Sequence, residues 1–370
     1  MATRQRRANV AEVFPPGEFI REELEARGWT QGDLCNILRR PLQTINEIIN
    51  GKKEITPDTA IALGEAFGTS AELWLNLENS YRLARARSKH NDSEIARRAR
   101  IHSLAPVKEL QERGWIRATS SIDELEVEVC RFFALASIDE RPKMAIAARR
   151  ANEGVELSPS QIAWVFRAKH VASKTTVARF SRNEFERLLP SLVKLSTLPD
   201  GGIRQAITQL ANAGIRVVVI SRLPNTRIDG AMFWLNAASP VVAISLRYDR
   251  IDSFWFTLMH ELAHVHQGYS TNGALDIDMI GETALDAAGR PEYERKADQL
   301  ASDWLLPSNL LDEFIRHNGP LYSRGSVTMF ARVTGVHPGI VVGRLQYRRA
   351  IPYSHFRYML TKVSPQCPAN

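Results

Sequence analysis

The string His260-Glu261-Leu262-Ala263-His264 sets two imidazoles four positions apart, with a carboxylate beside the first. A helix turns once in about 3.6 residues, so these imidazoles share a face and can converge on one cation. Glu261 points to the adjoining side, beyond ligating reach but placed for a general base that takes a proton from water. Trp255, Phe256, Met259, Leu262 and Ala263 give the segment an apolar face. That predicts a buried helix, and buried His and Glu are costly without partners. A catalytic zinc takes three protein ligands and keeps a fourth position for water, so a third ligand is expected from another helix. Downstream, Glu294 and Asp298 are again four apart, in a segment where Ala297, Leu300, Ala301 and Trp304 recur at helical spacing. Glu294 is the expected ligand and Asp298 the group that orients a ligand imidazole through its free N–H, with Glu292 the rival ligand. Zinc suits such a His2Glu set, and manganese is the substitute it would accept. His337, in the loop Gly335-Val336-His337-Pro338, is a candidate donor to an oxyanion or, alternatively, a capping histidine.

The elements that must hold these groups follow from the same pattern. Asp252-Ser253 is expected to cap the metal-binding helix, and Gly268 to close it. Upstream, Ile203 to Ala213 reads as a helix, while 215–220, 231–235 and 241–246 read as three strands of a small sheet. The strand holding Gly230 to Leu235 is expected at the sheet edge, where an extended substrate chain could pair with it. Residues 15–79 read instead as five short helices. Thr30 with Asp33 forms a variant capping box, Thr56-Pro57 a cap followed by an N1 proline, and Gly28 and Asn50-Gly51 are stops.

Two short helices joined by a tight turn inside a small bundle can place the second in a major groove about 12 Å wide. The string TQGDLCNILRRPLQTINEIINGKKEITPDTAIALGEAFGTSAELWLNL resembles the Xre-type repressor domain of the HigA kind, the antitoxins of bacterial addiction modules. That resemblance implies Gln31 on a phosphate, Gln43, Thr44 and Asn46 facing base edges, and Lys52 and Lys53 on the DNA backbone. It also implies an operator of double-stranded DNA, a homodimer on two half-sites and, as a partner, a cognate toxin. One departure stands out: Arg39-Arg40 occupies the turn where the family commonly has Gly and a small apolar residue. A left-handed residue there without glycine is strained by about 1 kcal/mol.

The strings FWLNAASPVVAISLRYDRIDSFWFTLMHELAHV, ERKADQLASDWLLP and VHPGIVVGRLQYR are similar to the ImmA/IrrE family of metallopeptidases. The resemblance carries the metal-binding histidines to His260 and His264, the base to Glu261 and the downstream ligand to Glu294. It implies a protease that cuts an Xre-type repressor or antitoxin-like protein and so frees the genes it held off. Lys296 departs from the pattern, since many members have a second acidic residue in this helix, and the choice between Glu292 and Glu294 stays open. A rival of another class is a non-proteolytic DNA-binding antitoxin or autorepressor whose metal domain serves only to bind a partner.

Together these readings predict a multidomain, mainly α protein. A helix-turn-helix bundle spans 12–80, a helical connector, basic at its start, 81–201, an α+β zincin-like peptidase domain with a small sheet 202–350, and a tail 351–370. The chain of 370 residues, 44% hydrophobic and 24% charged, is long enough for such cores and excludes collagen-like or wholly disordered classes. Its three cysteines contain no CxxC pair, which speaks against a disulfide frame or a thiolate metal site. No apolar run reaches the length of a spanning helix and no signal-type stretch opens the chain, so no membrane and a bacterial cytoplasmic location are expected. The net charge of +7 is uneven, with ten basic and four acidic residues between Arg82 and Arg117. That run is read as a solvated helix face, or else as a stripe tracking phosphates.

Overall fold

A computed structural model describes residues 14–89, 93–142, 157–268, 275–278 and 291–367. Residues 12 and 13 of the expected first domain, Asp92 of the basic run and residues 368–370 of the expected tail lie outside the described residues. Contacts divide the chain into two compact units, Met1–Ala96 and Arg97–Asn370.

The first unit is built from α1 (Pro16–Arg27), α2 (Gln31–Leu38), α3 (Leu42–Ile49), α4 (Pro57–Phe67) and α5 (Ala71–Lys89). Its helix ends are set by local chemistry. Thr30 Oγ1 accepts from the Asp33 backbone N–H at 3.1 Å while Asp33 Oδ2 accepts from the Thr30 N–H at 2.7 Å, the expected capping box. Thr56 caps α4 ahead of Pro57, and Ser70 Oγ accepts from the Leu73 N–H to begin α5. The fifth helix runs much further than the single amphipathic turn its apolar residues outline. Ile20, Leu34, Ile45, Ile49, Leu63 and Trp74 meet in one core, which consumes the inward face of every helix. At the end of α2, Arg39 takes the left-handed conformation with φ 52° and ψ 44°, so the turn keeps its shape without glycine.

The boundary between the units falls within α6 (Ser93–Leu104), and the second unit continues with α7 (Val107–Glu112), α8 (Ile122–Phe133), α9 (Pro159–Lys174), α10 (Arg182–Leu192) and α11 (Gly202–Asn212). Three strands follow, β1 (Arg216–Val219), β2 (Gly230–Trp234) and β3 (Pro240–Ile244), then α12 (Ile251–Gln267) and a short β4 (Leu275–Asp278). The chain ends in α13 (Glu292–Leu305), α14 (Ser308–Asn318), α15 (Arg324–Thr334) and α16 (Pro338–Tyr347), with short 3-10 turns beyond. The sheet runs in the order β1-β3-β2-β4, with β1 parallel to β3 and the other pairs antiparallel. β2 is therefore an inner strand, which corrects the expectation of an edge: Gly230 pairs with Ile244 on one side and with Asp278 on the other.

Successive side chains of a strand point to opposite faces. Val217, Val219, Met232, Val242 and Ile244 join a core with α10 to α16, whereas Val218, Phe233, Val241 and Ala243 join a second core. That second core is completed by Leu110 of α7, Val129 and Phe133 of α8 and Trp164 of α9, so helices without any chemical motif cover one whole sheet face. A sheet covered on both sides explains why β2 and β3 are unbroken apolar runs. The opposite face receives α12 through Phe254, Trp255, Leu258, Met259 and Leu262. This helix begins at Ile251 behind Arg250 with no side-chain cap; Asp252, expected to cap it, lies inside the first turn and pairs with Arg250. Gly268, at φ 70°, closes it as expected. No helix among the described residues is long and apolar enough to cross a membrane.

Candidate metal centre

α12 and α13 form the most intimate helix pair of the molecule, and they bring three ligand-type side chains together. His260, His264 and Glu294 are 0%, 1% and 4% exposed, and one ligand-type atom of each lies within 4.8 Å of the others. His260 Nε2 stands 2.9 Å from His264 Nε2 and 3.2 Å from Glu294 Oε2, and His264 Nε2 is 3.5 Å from that oxygen. Asp298, one turn along α13, places Oδ1 3.0 Å from His260 Nδ1. A proton on Nδ1 would face this carboxylate and leave the Nε2 lone pair to the other two groups. Two nitrogen lone pairs and a carboxylate facing one another in a buried space repel unless a cation lies between them, so this donor set fits a divalent metal. Burial pushes the Glu294 carboxyl up, but hydrogen bonds and charge from the two imidazoles outweigh it and hold the group below the usual carboxylate range.

Glu292 goes elsewhere. Its side chain is 72% exposed and accepts from Lys296 Nζ at 2.8 Å, an ion pair on the outer side of α13 that lowers its pKa. Lys296, the departure from the family pattern, thus pairs with the rival ligand and leaves Glu294 to the histidines. Glu261 is fully buried and faces β2, where a Cβ added at Gly230 would come within 2.4 Å of its Oε1. Glycine at 230 is the space the carboxylate occupies. Sequence reasoning missed that position, although a glycine beginning an otherwise apolar strand is a signal of close approach. It missed two aromatic neighbours as well: Phe256 lies 6.2 Å from the His260 ring and Tyr293 6.1 Å from that of His264. His337 is brought to a different task. It caps α16, its Nδ1 accepting from the Gly339 N–H at 3.0 Å, and its backbone N–H donates to Ser196 Oγ. In this arrangement its ring serves as a helix cap. His266 faces Trp304 and Glu186 at the helix end.

In the first unit the residues named for DNA lie on or beside α2 and α3. Gln43, Asn46, Lys52 and Lys53 are exposed, and Gln31 and Thr44 half-buried, while Ile45, Ile48 and Ile49 of the same helix fill the core. Gln43 donates to Glu47 Oε1 at 3.1 Å, and Asn46 bonds Asn50. Several arginines of the basic run are paired within the protein. Arg97 binds Asp123 at 2.7 Å and Glu126 at 2.6 Å, Arg100 binds Asp139 and Arg113 binds Glu109. The pairs of Arg97 and Arg100 tie α6 to α8 and to Asp139, while that of Arg113 lies at the end of α7.

Comparison with known proteins agrees with this division. Residues 20–74 match a family described as helix-turn-helix, and residues 211–346 match the IrrE N-terminal-like domain, a peptidase family. The first 80 or so residues have curated relatives. An uncharacterized HTH-type transcriptional regulator, YddM of Escherichia coli K12, is 30% identical over 82 residues, 22% of this chain and 87% of the relative. Virulence-associated protein I of Dichelobacter nodosus is 40% identical over 79 residues, 21% of this chain and 73% of its own length. Among solved structures, a putative antidote protein of a plasmid maintenance system from Nostoc punctiforme is 38% identical, over 22% of this chain and 90% of that one, with a TM-score of 0.22. The Pseudomonas aeruginosa antitoxin HigA, solved with the higBA promoter, is 35% identical over 21% of this chain and 86% of its own, with a TM-score of 0.21. The molecule is a helix-turn-helix domain joined to an IrrE-like peptidase domain. By its N-terminal unit the chain belongs to the helix-turn-helix transcriptional regulators, and residues 211–346 are similar to the IrrE N-terminal-like domain.

Proposed function

We propose that the protein is a metal-dependent endopeptidase, zinc its fitting ion and manganese a substitute, fused to a domain that binds operator DNA as a homodimer. Its substrate is an Xre-type repressor or antitoxin-like protein, whose cleavage relieves transcriptional repression. The observation that carries this reading is the meeting of His260, His264 and Glu294 in one buried cluster with Glu261 beside it. A merely structural site has no use for a fourth, non-ligating buried carboxylate. In this reading residues 12–80 serve DNA binding and 202–350 proteolysis.

His260, His264 and Glu294 would hold the ion, and Asp298 would fix the His260 ring through Nδ1. When bound, the metal supplies a Lewis acid that acidifies water and polarises a peptide carbonyl. Glu261 accepts the proton of the attacking water and returns it to the leaving amine nitrogen, so the base ends each cycle ionised. The closed helix packing around the site keeps bulk water from competing for that proton. Gln31, Lys52 and Lys53 would grip phosphates and Gln43, Thr44 and Asn46 read base edges, the tasks to which lysines and amides are suited.

Purified protein loaded with zinc and mixed with candidate repressors tests the proposal. The wild type is expected to cleave one of them; Glu261→Gln is expected to lose at least about 100-fold in rate while keeping metal and operator binding. Equal cleavage by the two would remove Glu261 from the chemistry. Operator binding and toxin binding without cleavage of any repressor, across both metals, would favour the antitoxin reading.

A further inference from the structure

A cavity of about 530 Å³ opens beside the first turns of α12, between the chain leaving β3 and the face of α16. None of His260, Glu261, His264 or Glu294 lines it. Its walls include Arg247, Arg250, Phe254, Arg344, Tyr347 and Tyr353, a mixture of aromatic surface and guanidinium charge. The three arginines are not equivalent. Arg250 is neutralised by two hydrogen bonds to Asp252, and Arg247 faces Asp229 at 3.8 Å and donates to the Arg227 carbonyl.

Arg344 has no such counter-charge. It is 7% exposed, donates to the uncharged Ser302 Oγ at 2.7 Å, and its buried Nε has no hydrogen-bond partner. Among the described residues no carboxylate lies within ion-pair distance of it, and burial lowers its pKa, the charged form being poorly solvated. Its guanidinium lies 5.9 Å from the ring of Tyr347, itself a wall of the cavity. Asp303 and Asp312 act on it only from beyond ion-pair distance and do not offset its burial. A buried cation without a direct ion-pair partner is costly, and a neighbouring cavity lined by aromatic rings is where a counter-ion with an apolar body can enter.

We propose that this cavity is a second ligand site, separate from the metal centre, which binds a small organic anion: a carboxylate, sulfonate or phosphate carried on an aromatic or branched apolar body. Arg344 selects the charge, and the tyrosine rings and Phe254 cover the body. The site has a route to the metal centre. α16 lies so close to α12 that a Cβ at Gly343 would come within 2.5 Å of Asp252 Oδ2, and the cavity wall includes Phe256, which packs against His260. A ligand held there braces the helix that carries both histidines. The site stands or falls without reference to proteolysis, since binding alone decides it.

The probe is 8-anilinonaphthalene-1-sulfonate, an aromatic body with one sulfonate whose fluorescence reports its surroundings. N-Phenyl-1-naphthylamine is the same body without the charge. Titrated into the full chain, the sulfonate is expected to saturate at one site per chain and to raise the melting temperature. Arg344→Met is expected to weaken it about ten-fold while leaving the neutral probe within about two-fold. Tyr347→Ala, at a rim position 60% exposed, keeps the fold and is expected to weaken both probes about three-fold. Unchanged sulfonate affinity in a folded Arg344→Met protein overturns the proposal; if that variant does not fold, unchanged affinity in Tyr347→Ala does so. Displacement of the probe by a cleavable repressor would assign the cavity to the substrate chain and overturn the separate site.

Discussion

The two units hold the residues proposed for function in opposite ways. In the helix-turn-helix unit the chemistry faces outward: Gln43, Asn46, Lys52 and Lys53 are exposed, and the apolar residues of the same helices do the packing. In the peptidase-like unit the chemistry is the packing, with His260, Glu261, His264 and Glu294 all buried between α12, α13 and β2. An exposed reader can be altered without harm to the fold because water solvates whatever replaces it. A buried cluster has no such freedom, since each member is the partner that makes the others tolerable. Substitutions should therefore separate function from stability in the first unit and fuse them in the second.

The sharpest break is expected at His264. His264→Ala should cut bound metal from about one ion per chain to a small fraction, measured by elemental analysis of dialysed protein. Unchanged metal content would detach the cluster from metal binding altogether. Asp298→Asn keeps the shape but weakens the hold on His260, and about a 10- to 100-fold loss of metal affinity is expected in a chelator competition. In the first unit the corresponding change is one of stability alone. Arg39→Gly relieves a left-handed residue and is expected to stabilise the unit by about 1 kcal/mol, seen as slower hydrogen exchange in α2, with operator affinity little changed. A loss of operator affinity would instead give Arg39 a phosphate contact.

The smallest effect concerns pH. Burial holds His337 below its ordinary value of 6.5, the nearby Asp252 opposing. Its neutral form is favoured in the fold, so its contribution is present above that value and is lost as pH falls toward the depressed one. A modest decline in melting temperature between about pH 7 and 5 is expected, and His337→Asn, which can still cap, should flatten it. A decline of the same size in both would place the titration elsewhere.

The same contrast explains what the sequence disclosed. Caps and stops are local, so Thr30, Thr56 and Gly268 could be read directly, and the five helices of the first unit with them. HExxH was legible because its spacing is a property of one helix. Four-residue spacing to Asp298 favours Glu294 over Glu292 but leaves the choice open, because it depends on which side of α13 meets α12; the pair Glu292–Lys296 at four-residue spacing was a further clue. β2 was misplaced at an edge since nothing in Leu275–Asp278 announces a fourth strand by apolar alternation strong enough to compete with the three before it. The covering role of α7 to α9 was hidden for a related reason: a helix that only packs carries no chemical spacing to notice.

Gly230 deserves a last thought from the side of genetics. Every missense change at that codon installs at least one carbon, and the first carbon already collides with the Glu261 carboxylate opposite. In a saturation screen scored by activity, this residue would behave like a member of the reactive machinery although it has no reactive group. A hole in the backbone's decoration can be as intolerant of change as the atoms that fill it.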